Sequence, residues 1–312
     1  MASLKALTLA SVAVLALTRA AAAADLLPPP PAMEPPPPIV SSEFNGWYLR
    51  GDVGAGFNNA PSFATSPDAL AGGIASGFLS PGANNNYLNT SLSAAAIFDV
   101  GVGYQFNNWF RGDVTSELRG GSQFQGLQVL NDSASPAGNG YTSQQFADFY
   151  RGNLDTYLLM LNGYVDVGTW YGITPFVGAG VGVAYNRFSG LTDNGFSAQT
   201  YPVTGTVSSA TGGYISNGSS TNFAWSLMTG LDFNVTQNLK LELGYRYLNY
   251  GTVKSGTSNC LTGTGQGSGF DCGGGAYNVT TKSLTSNDFK VGLRWMIGEN
   301  TPAPEAPLVR KY

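Results

Sequence analysis

From Gly46 onward, apolar and polar residues alternate one by one. WYLRGDVGAGF sets Trp47, Leu49, Val53, Ala55 and Phe57 on one side and Tyr48, Arg50 and Asp52 on the other. The same pattern returns in IFDVGVGYQF, FRGDVTSELR, TYLLMLNGYVDV, PFVGAGVGVAY, FAWSLMTGLDFN, LKLELGYRYL and FKVGLRWM. Period two is the mark of a strand with one apolar face. These eight segments predict eight strands, each near the roughly 9–11 residues that a tilted strand needs to cross a bilayer. Three connections between them are short: Asn107-Asn108, Gly168–Gly172 and Thr236-Gln237-Asn238. Four are long, near 58–93, 120–152, 187–222 and 252–286. Short and long connections alternate. Loops of that length are uncommon inside soluble domains and expected on one side of a membrane barrel.

The polar faces separate a soluble sandwich from a membrane barrel. They carry Arg50, Arg111, Arg119, Lys240, Arg246, Lys290 and Arg294, and also Asp52, Asp99, Asp113, Glu117, Asp166, Asp232 and Glu242. Seven cations meet seven anions in the strands, while the long loops carry few charges. Lipid offers a charge no partner, so charges on spanning strands point inward and pair there. The fold class expected is therefore all-β: an eight-stranded antiparallel up-and-down transmembrane β-barrel over residues 46–297, with short periplasmic turns and long extracellular loops. Its lumen would hold the fourteen charges as an ionic network, with inward Gly101, Gly103, Gly178, Gly180 and Gly182 leaving room for long Arg side chains. Aromatic residues at the segment ends, such as Trp47, Phe110, Trp295, Phe57, Tyr185 and Phe289, suit two interfacial girdles.

Composition narrows the chemistry. Among 312 residues there is no histidine, which excludes His triads, His–zinc sites and His-ligated haem. Charged residues make up 11% and the net charge is −4, with no block of Lys and Arg, so nucleic acid is not an expected partner. Gly178–Gly182 has the look of a phosphate loop but lacks the helix start and Lys-Ser/Thr, and reads as strand packing. Asp113 and Glu117 share a strand face as glycosidase carboxylates might. With Arg111 and Arg119 beside them, they read as a salt-bridge cluster. Nothing calls for a cofactor, a metal or an enzymatic role.

The ends differ from the body. Residues 1–24 read as a signal peptide, with Lys5, an apolar stretch to Leu17 and Ala22-Ala23-Ala24 before Asp25. Residues 25–45 form a Pro-rich periplasmic linker, and 298–312 a periplasmic tail of similar character. Cys260 and Cys272 flank a Gly-rich segment. In an oxidising compartment they are expected to form a disulfide worth on the order of 2–3 kcal/mol.

GWYLRGDVGAGF, MLNGYVDVGTWYGITPFVGAGVGVAY and KVGLRWMI resemble the porin-family outer-membrane β-barrels of alphaproteobacteria, related in architecture to OmpA-type and opacity-protein barrels. KVGLRWMI also resembles the signal read by the barrel-assembly machinery, with Lys290, Gly292, Trp295 and Ile297 in its key places. Ile297 stands where an aromatic is usual. The resemblance implies a place in the cell outer membrane, with outer-membrane lipid, lipopolysaccharide and the assembly machinery as partners. The expected function is a non-enzymatic barrel that supports the envelope and acts as a narrow passive pore for small solutes. The alternative is a surface-binding protein that engages haemin or a host or environmental ligand through its extracellular loops.

Overall fold

The computed structural model describes residues 45–66, 68, 71, 74–75, 79–134, 140–260 and 276–297, without the side chain of residue 260. The signal segment 1–24, all but the end of the linker, the tail 298–312 and Cys272, and with it the expected Cys260–Cys272 bridge, lie outside the described residues.

Twelve strands are present among the described residues: β1 (Gly46–Asn58), β2 (Ser62–Ser66), β3 (Asn84–Leu92), β4 (Ala95–Gln105), β5 (Phe110–Asp132), β6 (Ser143–Asp166), β7 (Ile173–Tyr201), β8 (Gly205–Ile215), β9 (Gly218–Asn234), β10 (Leu239–Lys254), β11 (Ser258–Cys260) and β12 (Asn278–Ile297). The expected architecture of eight strands joined by long loops is thus corrected. The structure is one irregular twelve-stranded sheet. β5, β6 and β7 run for 23, 24 and 29 residues, far beyond a bilayer crossing, and β2, β3, β8 and β11 occupy stretches read as loop. All pairings are antiparallel. Followed from neighbour to neighbour, β7, β6, β5, β4, β1, β12, β10 and β9 lead back to β7. β2, β3 and β8 hang on this circuit at one end, and β11 pairs with β8.

At the other end the turns are tight and locally specified. Asn107 Oδ1 accepts from the backbone N–H groups of Trp109 and Phe110 at 3.0 and 2.7 Å. Trp170 and Ile173 exchange two backbone bonds of 2.9 Å across Tyr171 and Gly172, whose φ of 53° and 82° give the doubly left-handed turn that matches strand twist. Thr236 Oγ1 closes the third turn on the Leu239 N–H at 3.0 Å.

Polarity reverses along the sheet, which the expected barrel did not include. From Trp47 to Phe57 on β1, and at the matching levels of its neighbours, the outside is apolar. Val100, Leu161, Leu227 and Leu293 are each more than half exposed, while Arg111, Glu117, Asp232 and Arg294 are buried inside. Beyond this band the inside turns largely apolar, with buried polar residues such as Gln128, Asp148 and Asp193 further along. Phe124, Tyr150, Leu154, Phe188 and Leu191 form a buried cluster with Phe63, whose ring stands edge-on to Phe124 and Tyr150 at 5.6 Å. The outside there is Gln123, Gln125, Arg151, Asn153 and Thr192. The change falls at bulges. β5 shifts register between Arg119 and Ser122, and β6 shifts against β7 between Arg151 and Asn153. Gly121 and Gly190 supply the positive φ those bulges need, 80° and 60°.

Candidate functional site

The banded zone encloses ion pairs in three connected groups. Nearest the tight turns, Arg111 meets Asp166, Glu242 and Asp232 at 3.2, 3.3 and 3.6 Å, and Arg294 bonds Asp232. In the middle, Arg50 meets Asp52, Asp113 and Glu242 at 2.9, 3.0 and 2.9 Å. Nearest the extension, Glu117 accepts from Arg119 at 3.1 Å, Arg246 at 2.6 Å and Lys290 at 3.3 Å, and Lys290 also reaches Asp99 at 2.5 Å. Glu242 ties the first group to the second. Of the fourteen charges singled out from the sequence, thirteen sit in these groups. Lys240, half-buried at the turn end opposite Arg294, makes no ion pair among the described residues.

Sequence reasoning missed several members. Asp288 binds Arg119 at 2.8 Å and Arg246 at 2.6 Å. It lies one residue before the segment read as β12, and carrying the alternation back through Asp288 and Ser286 would have found it. Tyr48 donates to Asp113 at 3.0 Å, Tyr164 accepts from Arg50 at 2.8 Å, and Asn162 donates to Asp113 at 2.8 Å. The glycines make room less for arginine than for these neighbours. A Cβ at Gly178 would meet Tyr164, and one at Gly180 would meet Asn162. The Arg111 guanidinium then lies over the Tyr164 and Phe176 rings at 4.2 and 4.7 Å. A cavity of about 20 Å³, lined by Arg50, Asp52, Asp99, Glu242, Arg246 and Lys290 among others, has room for about one water.

The residues of the expected assembly signal occupy β12. Lys290 is in the network. Gly292 lies against the Asp52 carboxylate so closely that a Cβ has no place. Trp295 points outward, 60% exposed, and Ile297 ends the strand opposite Trp47.

Two further features lie in the extension. Outside, at the bulges, a cleft of about 240 Å³ is lined by Gln123, Gln125, Arg151, Asn153 and Thr192 with backbone of Gly152 and Gly190. Inside, Asp148 on β6 and Asp193 on β7 are buried near each other, and Tyr277 donates its hydroxyl to Asp193 Oδ2. Burial pushes the Asp148 carboxyl up to about 8, and the charge of Asp193 adds to the effect. Burial pushes Asp193 up to about 6, with the Tyr277 hydroxyl pulling the other way. A carboxyl whose folded value is raised gives stability that is complete below its unfolded value and lost as pH rises through the folded one. In buffer free of divalent cations, the extension is therefore expected to tighten on acidification from pH 8.5 to 5.5. Hydrogen-exchange protection factors of β6 and β7 near these residues should rise at least about tenfold, or about 1.4 kcal/mol. Equal protection at both pH values would contradict the assignment.

A sheet with an apolar outside, an ion-paired inside and a water-compatible continuation is the arrangement of a β protein built to sit in lipid. No family model matches the chain. An uncharacterized protein of Brucella abortus (strain 2308) is 31% identical over 212 residues, covering 65% of this chain and 67% of the relative. The chain belongs to the family of this Brucella protein. Outer membrane protein PagN of Salmonella typhimurium is 29% identical over 200 residues, covering 63% of this chain and 70% of that protein. A Rickettsia bellii protein provisionally named an adhesin is 26% identical over 253 residues, covering 80% and 87%.

Proposed function

We propose that this protein is a non-enzymatic outer-membrane protein that binds a surface ligand through the extension of its sheet. The observation that carries the reading is the filled interior. Ion-paired side chains at the level of the apolar band leave a cavity of about 20 Å³, which suits a plug better than a solute path. What remains for contact is the extension, an ordered surface rich in Gln, Asn, Thr and Tyr that stands clear of the band. The 240 Å³ cleft beside Arg151 offers amide and hydroxyl donors with one cation, chemistry suited to a glycan that carries hydroxyl and acidic groups. The relationships to PagN and to the Rickettsia bellii protein point the same way. The porin-family reading, with a narrow passive pore, has the weaker support.

Planar-bilayer recording and glycan binding on the same refolded protein test this. The expected result is no steady unit conductance, with binding to an immobilised acidic glycan that falls at least tenfold in the double variant Gln125→Ala, Arg151→Ala. Steady channels that widen in Glu242→Ala, with glycan binding absent, would establish the pore instead.

A further inference from the structure

Asp148 and Asp193 have no use in the glycan cleft, which lies on the opposite face of the sheet. They are 7% and 5% exposed. Asp148 stands opposite Gly195, two residues along β7 from Asp193, so the two carboxylates are diagonal neighbours on the inward face. Each has an oxygen, Oδ1, that is buried with no hydrogen-bond partner among the described residues. A third unpartnered oxygen, Thr211 Oγ1, faces the same gap from β8, where Thr211 stands opposite Gly195. The gap exists because residue 195 has no side chain. A Cβ there would run into Asp148 Oδ1 and would lie 2.8 Å from Thr211 Oγ1. Among the described residues, thirteen ion pairs neutralise the carboxylates of the banded zone, and none includes Asp148 or Asp193. Two carboxylates buried side by side cannot both ionise without a counter-charge, so a proton or a cation must neutralise them.

We propose that Asp148, Asp193 and Thr211 form a calcium site in the extension. The donors are all oxygen, which selects a hard cation. Two carboxylates and a hydroxyl on three separate strands make an irregular, incomplete set that water must finish. Calcium accepts six to eight such ligands in flexible geometry, whereas magnesium demands a near-ideal octahedron. A site with two protein charges belongs with the weak extracellular class, with a Kd on the order of 0.1–1 mM. The bound ion would clamp β6 to β7 and β8, the strands that carry the extension furthest from the band. This site stands on its own residues and does not depend on the glycan reading.

The test uses the full chain refolded in detergent and treated with chelator. Terbium is the probe, since the Tyr277 hydroxyl on Asp193 and the nearby Tyr150 place two phenol sensitisers beside the site. The expected result is tyrosine-sensitised terbium emission, displaced by millimolar calcium and poorly by magnesium. Asp148→Asn and Asp193→Asn should each reduce it at least tenfold. Both variants should fold, because each removes like-charge repulsion, and retained β circular dichroism checks this. Asp155→Asn, an acid on the outer side of β6, should leave emission unchanged. If wild-type emission is absent, or survives in both Asn variants, the site does not exist. If acid stabilises the extension while calcium at pH 8.5 does not, the pair holds a proton alone and the proposal is overturned.

Discussion

Glu117→Ala lowers the unfolding free energy of the protein refolded in lipid vesicles by about 3–5 kcal/mol, read from urea midpoints at constant m. Glu117 is 1% exposed and accepts from Arg119, Arg246 and Lys290 at once. Removing it leaves three cations to share Asp288 and Asp99. The place it leaves is buried among those cations, so the cost is mainly that of uncompensated buried charge and not of one lost bond. Glu117→Gln keeps the volume and part of the hydrogen bonding, and falls between. Lys240→Ala is the control: a half-buried cation with no ion pair among the described residues should cost less than about 1 kcal/mol. If Lys240→Ala and Glu117→Ala cost the same, the network does not hold the interior together.

How far the sequence shows this molecule depends on where side chains differ most in polarity. In the band, Leu161 beside Asn162 or Phe98 beside Asp99 contrast so strongly that faces can be assigned by eye. Thirteen network members were legible for that reason. Above the band the contrast weakens and changes sign. QFQGLQVLND in β5 puts Phe124 and Leu130 inside and Gln123 and Gln125 outside, the reverse of FRGDVTSELR only a few residues earlier. The bulge around Gly121 shifts the parity by one at the same point, so a search for continued period-two alternation stops at Arg119. Strands made of Gly, Ser, Thr and Asn, such as GTVSSATGGYI in β8, carry almost no hydrophobic period. Their pairing comes from backbone bonds to β7, which composition does not report. The loops expected at 120–152 and 187–222 were therefore largely sheet. Asp148 and Asp193, placed in loops by that reading, could not be seen as facing each other. The register of two long strands brings them together.

The polarity reversal itself yields the second large effect, which separates lipid from water as the surroundings of each zone. Leu161 is 60% exposed in the middle of the band, paired with Val114 and Val181. In a protein surrounded by water, Leu161→Arg would be nearly neutral, because an exposed side chain has little packing to lose. With acyl chains around it, the guanidinium must be desolvated, and the expected loss is about 2–4 kcal/mol in vesicles. Gln125→Arg lies on the same outer face beyond the bulge and should change stability by less than about 0.5 kcal/mol. Leu154→Arg places the charge at the base of the apolar interior, where Leu154 is 2% exposed, and should be the most damaging of the three. The ordering Leu154→Arg, then Leu161→Arg, then Gln125→Arg follows only if the outside is greasy below the bulges and wet above them. Equal and small effects at residues 125 and 161 would mean that water reaches the band. The ion pairs inside would then be a soluble protein's interior, and the apolar exterior would need another partner to cover it.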